Sequence, residues 1–455
     1  MPQAITRMVA TLALVLSCAG PAVSQRVEVT PDALRDQAAL AAATGMSRRA
    51  LSYSDALLNR DPQDIGALLI RAQAARDMGR YARSRKAARR AWGLAETDRQ
   101  RYAAALAMAQ AQSSGGRRTA AQWWLRRAVQ NAPDDTARAR AVRDFRYVRS
   151  RNPWAADFSF SIAPRSNVNN GSARSTTQLF DLPFEFQLDG SAQALSGIEV
   201  TAGANLRYRL DESRTHRSDL LFRLHHRTYA LSDAAKAQAP GVSGSDFAFS
   251  SASIGVVHET RPDNRGAPRQ FHGIIGRTSY AGDPYMQFVQ LGATQHFGLS
   301  PRMGADFSLG VEAQQGLSRG SDARSVQLGA GLTRMLAGEH RLRLSVDGRV
   351  NRSDSANLDF DKLAVSARLK LARPVLWMQL SMGLSGSVKD HDRSPLSANG
   401  RHDEELAIEV TAGFPSVDYY GFIPSATVRA ARTRSDIGLY DTNELGVEIG
   451  IRSAF

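Results

Sequence analysis

The side chains best suited to holding a cation are Asp390-His391-Asp392 and His402-Asp403-Glu404-Glu405, which flank a predicted outer loop and supply imidazole and carboxylate donors. A metal centre also needs partners that orient those donors, and the sequence gives no sign of them, so a solvated, charged loop is the simpler reading. His225 and His226 are adjacent, and a strand would point them to opposite faces, away from shared ligation. No G-x-S-x-G, H-E-x-x-H, phosphate-loop or EF-hand spacing occurs, so neither an enzyme nor a metal or organic cofactor is expected. A different chemistry is offered by Arg140, Arg143, Arg146 and Arg149, three residues apart, which form a cationic ribbon along one side of a helix. Such a ribbon can meet an acidic client protein or anionic phospholipid heads, where each basic group near a membrane contributes ~1 kcal/mol. It can equally be a solvated face in an arginine-preferring chain, since only 5 of the 58 basic residues are lysine.

The charge around that ribbon is localised. The 455 residues carry a formal charge of +14, and residues 26–153 hold 25 basic and 12 acidic side chains against 32 of each in residues 154–455. Two regions so differently charged predict two domains in different surroundings. Nucleic acid would be the obvious partner for such a basic chain, but the N-terminus argues against it. Arg7 is the only charge in the first 25 residues, Met8 to Ala19 are an apolar run, and Ala22-Val23-Ser24 is a small-x-small cleavage pattern. These are the parts of an export signal spanning residues 1–24, and the apolar run is too short to cross a bilayer as a helix. Cys18, the only cysteine, lies inside it; Leu16 makes Val15-Leu16-Ser17-Cys18 a poor lipoprotein-processing site. The mature chain is therefore expected to lack thiol chemistry and to meet no chromosomal DNA.

The basic region, residues 25–153, has a period of 34. Gly45 and Gly79 are 34 apart, as are Ala50 and Ser84, and Leu57 and Ala91. A third copy carries Gly116, Ala121, Leu125, Ala128 and Pro133. In each copy a glycine ends one helix, a small residue follows five positions later, and proline follows the second helix in the first and third copies. Asp61-Pro62-Gln63-Asp64 and Ala132-Pro133-Asp134-Asp135 are predicted to cap the next helix. This spacing resembles tetratricopeptide repeats, although Arg118 stands where that family usually has an aromatic. Three helical hairpins and a closing helix over 135–150 are expected.

From Phe158 onward the period changes to two. Phe158, Phe160 and Ile162 alternate with polar residues, as do Ile198, Val200, Ala202, Ala204, Leu206 and Tyr208, and later Leu342, Leu344 and Val346. Further runs include Leu376, Met378, Leu380, Met382 and Leu384; Leu406, Ile408 and Val410; and Leu445, Val447, Ile449 and Ile451. Runs of this length with a polar alternate face predict membrane-spanning barrel strands. Counting back from the C-terminus, the connectors 433–443, 388–403 and 351–361 are long, 413–421 is medium, and 371–374 and 337–340 are short. Outer-membrane barrels pair long outer loops with short periplasmic turns. Fifteen runs qualify, but 177–188 contains Pro183 and acidic residues in its alternation, and removing it leaves an even 14. The chain closes on alternating residues ending in Phe455, as bacterial outer-membrane proteins do.

An export signal, a helical repeat domain and a barrel over 154–455, in that order, resemble the surface lipoprotein assembly modifiers (Slam) and their porin-like relatives. The local match is Ala163-Pro164-Arg165-Ser166-Asn167-Val168-Asn169-Asn170-Gly171-Ser172, similar to a Pro-x-x-Asn-x-Asn segment at the barrel entry; Ser196-Gly197-Ile198-Glu199 is a weaker one. On the residues alone, Asn167 and Asn169 favour turns. The expected architecture is an α + β membrane protein, with a tetratricopeptide-like helical domain in the periplasm and a ~14-stranded antiparallel transmembrane β-barrel in the bacterial outer membrane. The resemblance implies a translocon that moves a lipoprotein or soluble client to the surface without catalysis. A porin-like channel is the rival, favoured by the polar alternate face of the strands. Expected partners are an exported client protein and outer-membrane lipids.

Overall fold

The computed structural model describes residues 29–453 apart from 181, 183, 262–266, 319, 418 and 421. The expected export signal with Cys18 and the terminal Phe455 lie outside the described residues. The chain divides into two compact units between Trp124 and Leu125.

The first unit is built from helices α1 (Pro31–Ala43), α2 (Ser47–Arg60), α3 (Ile65–Asp77), α4 (Tyr81–Leu94) and α5 (Asp98–Ser114), with the start of α6 (Arg118–Gln130). The 34-residue period is a period of backbone geometry. Gly45, Gly79 and Gly116 all have φ between 72° and 77°, the left-handed conformation that ends a helix and that a side chain disfavours. The small residues of the repeat are buried: Ala50, Ala91 and Ala121 allow close helix approach, and Ser84 satisfies its hydroxyl by donating to the Ala72 carbonyl at 2.6 Å. Leu57, Leu68, Ala88 and Met108 form the centre of the core.

Asp64 caps α3 by accepting from the Ala67 N–H at 2.9 Å, and it also pairs with Arg35 at 2.8 Å. Burial pushes this carboxyl up, but the hydrogen bonds from Arg35 and Ala67 outweigh it and hold the pKa below the usual carboxylate value. Asp64→Ala is therefore expected to cost about 1 kcal/mol, within the 0.5–2 range of lost N-caps, and to speed amide exchange in α3 of the full-length protein. A group with a depressed pKa stabilises the fold above its unfolded value and loses that contribution as pH falls through the folded value. The wild-type advantage should accordingly persist at neutral pH, begin to fall at about pH 4 and fade as pH drops through the lower folded value.

The second unit begins inside α6 and continues through α7 (Asp135–Arg151), which matches the expected closing helix within one residue and is capped by Asp134 on the Ala137 N–H. The strands follow: β1 (Trp154–Arg165), a small hairpin of β2 (Thr176–Gln178) and β3 (Glu185–Gln187), β4 (Gly197–Glu212), β5 (His216–Leu231), β6 (Phe249–Thr260), β7 (Arg269–Tyr280) and β8 (Asp283–Ser300). Then come β9 (Met303–Gly316), β10 (Ala323–Met335), β11 (Arg341–Ser353), β12 (Phe360–Lys370), β13 (Gln379–His391), β14 (Arg401–Gly413), β15 (Phe422–Ser435) and β16 (Thr442–Ser453). A short helix α8 (Asp233–Gln238) lies between β5 and β6.

β1 and β4–β16 form a closed barrel of 14 antiparallel strands, each paired with its neighbour in sequence, and β16 returns to β1. The segment 177–188 stays out of it, as its proline and carboxylates predict: β2 and β3 pair only with each other. Closure removes every free strand edge, which is what allows a sheet to cross a bilayer. The outer face is the apolar one. Phe158, Phe160, Leu344, Val346, Ile408 and Val447 are each at least 40% exposed, and register sets apolar partners beside them: Ile451 by Phe160, Val365 by Val346, Leu384 by Ile408 and Val428 by Val447. The described residues contain no helix long and apolar enough to cross a membrane.

Two expectations need correction. Leu376 and Met378 were expected in a strand, but β13 starts at Gln379, and the connector runs over 371–378 instead of 371–374. Val375 and Met378 exchange backbone hydrogen bonds at 2.9 and 3.0 Å, making a tight turn at Leu376, whose φ is 58°. The neighbouring long connectors are shorter than expected, 354–359, 392–400 and 436–441, because polar strand ends keep pairing: Asp390 with His402 and His391 with Arg401. The alternation of connector lengths is consequently weaker than the apolar pattern implies.

Candidate functional site

Every strand that shows an apolar residue outward shows its neighbour to the lumen. Inward positions carry both signs of charge, most of them paired across strands. Near the end where β1 begins (the entry end), Asp306 on β9 receives Arg343 on β11 through two hydrogen bonds of 2.7 and 2.9 Å. Higher up, Arg349 lies 3.5 Å from Glu312. At the far end Arg165 joins three strands: its guanidinium reaches Glu199 on β4 at 2.9 Å, Glu444 on β16 at 2.9 Å and Glu448 at 3.8 Å. Gly446 stands in register with Arg165, and a Cβ there would lie 2.6 Å from Arg165 Nη1, so a larger residue would force the guanidinium to shift away from its carboxylates.

The next group occupies the β13–β15 side. Arg401 is buried between Asp403 at 3.2 Å, His391 Nε2 at 2.6 Å and the Tyr440 ring, whose centroid is 3.7 Å away. Lys389 lies 3.7 Å from Asp403 and Arg429 3.5 Å from Glu405. Lys389, Arg401, Asp403, Glu405 and Tyr440 line a cavity of about 330 Å³ together with Asn170, Asn357 and Lys362.

At the far end, the connector between β1 and β4 is held by its own turns and by neighbouring connectors. Asn167 closes a turn on Gly171 in both directions, at 2.8 and 2.9 Å. Asn169 donates to the Gln193 carbonyl at 2.8 Å and accepts from the Leu195 N–H at 2.9 Å, pinning the outgoing chain to the returning one. The segment is then tied to connectors on other strands. Ser172 donates to the Gly438 carbonyl, Ala173 N–H to Asp441 O, and Phe180 N–H to Leu396 O. The Asn-x-Asn pattern thus has a loop-ordering role, in line with the turn preference read from sequence.

The residues singled out for chemistry separate. His225 faces the lumen and His226 faces outward, where it meets Ser250 at 2.8 Å. Asp390 and His402 pair at 2.5 Å on the outer face, whereas His391 and Asp403 turn inward to Arg401. Among the described residues no cluster suited to a metal ion forms. Arg140, Arg143, Arg146 and Arg149 are all exposed on α7, while Ala141, Phe145 and Val148 of the same helix are buried. The helix is held at the entry end of the barrel. The Arg126 guanidinium stacks on Phe145 and on Phe422 of β15 at 5.2 and 4.9 Å and donates to the Tyr420 carbonyl at 2.9 Å. Arg209 of β4 donates to the Ser150 carbonyl at 3.0 Å.

No protein-family model and no curated protein matches this sequence. Solved structures do match in part. A loop-deletion form of OmpT, an outer membrane protein of Vibrio cholerae, is 9% identical, with 66% of this chain and 99% of that one covered and a TM-score of 0.33. OccAB1 of Acinetobacter baumannii is 8% identical over 66% and 96% of the two chains, with a TM-score of 0.36. The COG4313 outer membrane channel of Pseudomonas putida F1 is 10% identical over 66% and 96%, with a TM-score of 0.32.

Proposed function

We propose that this chain is an outer-membrane channel for small polar solutes, with its helices on the periplasmic side and the far mouth facing out. The observation that carries this reading is the inversion of polarity across one closed wall: apolar residues outward, paired charges and amides inward. Fourteen strands exceed the number at which side chains alone fill a barrel, and a polar lining is what water and polar solutes need. Reconstituted in planar bilayers, the full-length protein should give discrete conductance steps; a barrel that inserts and never conducts would overturn the reading.

A second reading is kept for one observation. The four exposed arginines of α7 sit on a helix anchored to the entry end, where an arriving client or the inner face of the membrane would meet them. Under this reading the barrel is a Slam-like translocon and the arginines recognise its cargo. Replacing all four with glutamine should then remove a specific protein from the cell surface and weaken binding to anionic liposomes in a salt-dependent way. Unchanged surface proteins together with altered solute permeability would reject the translocon and leave the channel.

A further inference from the structure

Charges in the lumen are mostly matched, with one concentrated exception. β5 turns Arg223, His225 and Arg227 to the interior at successive inward positions. In register with them, β4 offers Asn205, Gly203 and Thr201, and β6 offers Ser253, Ser251 and Phe249. Neither β4 nor β6 sets a carboxylate in register with either arginine; the nearest in that row is Asp157 of β1, one strand beyond Asn205, which is exposed and has no ion pair among the described residues. Neither Arg223 nor Arg227 has an ion pair among the described residues, and Arg227 Nε is buried without a hydrogen-bond partner, with only the Tyr229 ring 5.7 Å away. The next arginine down the wall, Arg207 on β4, is 3.9 Å from Asp219, a carboxylate already engaged by Arg217 at 2.8 Å. The acids on the rest of the wall are mostly held by bases: Asp306 by Arg343, Glu312 by Arg349, Asp403 by Arg401, Glu405 by Arg429. Glu409 has no ion pair, but it lies across Gly383 from Arg368, which has none either.

Arg227, partly desolvated and unpaired, lacks the compensation that the other lumen charges have, while Arg223 is open to the lumen, and a passing anion supplies a counter-charge to each. Arg223 and Arg227 are four residues apart, about 13 Å along the strand. That spacing gives two stations for an anion moving along the lumen, with hydroxyl and amide groups between them. Guanidinium favours planar or tetrahedral oxyanions, to which it can donate twice. We propose that Arg223 and Arg227 form an anion-selective strip in the lumen, and that the solutes the channel prefers are small phosphate- or carboxylate-bearing anions. This rests on the channel reading above and gives it a substrate class.

The test uses the full-length protein in planar bilayers under a potassium chloride gradient. The wild type should show an anion-directed reversal potential, and millimolar inorganic phosphate should depress its chloride conductance. Acetate added in place of phosphate tells whether carboxylates share the stations. R223Q/R227Q should lower the anion-to-cation permeability ratio roughly tenfold, the lower end of what focused charge achieves in a cleft, and abolish the phosphate effect. R223K/R227K keeps the charge and loses the fork, so it should stay anion-selective and become less sensitive to phosphate. Because β5 pairing is unchanged in both variants, insertion of the lysine form controls for assembly. Cation preference in the wild type, or identical selectivity in wild type and glutamine variant, would overturn the strip while leaving a channel. Absence of any conductance would overturn the channel reading and the strip with it.

Discussion

Val346→Arg should destabilise the barrel by about 2–4 kcal/mol, the cost of a cationic side chain on the lipid face near the bilayer midplane. Val346 is 48% exposed on the outer wall and stands in register with Ala330 on β10 and Val365 on β12, both outward-facing, so no counter-charge is at hand. Its neighbour gives the internal control. Asp347 points into the lumen, where it accepts a hydrogen bond from Ser345 at 3.2 Å, and Asp347→Asn leaves polar surroundings that solvate either form. Denaturant unfolding of both variants in lipid vesicles measures the contrast. Equal tolerance at 346 and 347 would mean that the strand faces are not lipid and water, and the membrane assignment of the wall would fall.

The register behind that experiment was legible because alternation is a local property. A strand whose even positions are apolar and whose odd positions are Arg, Ser and Glu has one solution in a closed wall, and Phe158, Ile408 and Val447 all lie on the face so inferred. The 34-residue helical period was equally local: Gly45, Gly79 and Gly116 share one backbone conformation because each ends a helix. Strand ends were harder to read, since Asp390 and His402 carry no apolar signal yet continue the ladder through backbone bonds indifferent to side-chain type. The lumen pairs were invisible for a deeper reason. Arg165 and Glu444 are 279 residues apart, and nothing in either's neighbourhood announces the other. Periodicity says that both face inward; only the closure of the barrel says that they meet. Arg223 and Arg227 were missed likewise, because being unpaired is a property of the whole wall.

Closure itself is the subject of the other large effect expected. β1 and β16 share a sparser register than most neighbouring strands, from Phe160 with Ile451 to Arg165 with Gly446. Above that seam the Leu445 N–H is bonded to the Ser166 hydroxyl at 2.8 Å. Arg165, 13% exposed at its side chain, bridges β4 and β16 across this seam, and Glu199 is 9% exposed. Arg165→Met removes the cation and leaves Glu199 as a buried, uncompensated carboxylate, a change that typically costs 3–5 kcal/mol. Glu444 and Glu448 are more solvated, at 31% and 40%, and add less. The loss should appear as a lower unfolding midpoint in vesicles and as slower acquisition of the heat-resistant barrel form. Restoring neutrality discriminates electrostatics from packing: R165M/E199Q should recover much of the stability, because the penalty belongs to the orphaned charge rather than to the missing contact. Gly446→Ala probes the same seam by crowding, since its new Cβ meets the guanidinium at 2.6 Å, and overpacking of this kind costs about 1–3 kcal/mol. In the Arg165→Met background the shorter, uncharged side chain yields, so the alanine should become nearly silent. If Gly446→Ala costs the same with and without Arg165, the two do not share the seam, and barrel closure is held by the backbone ladder alone.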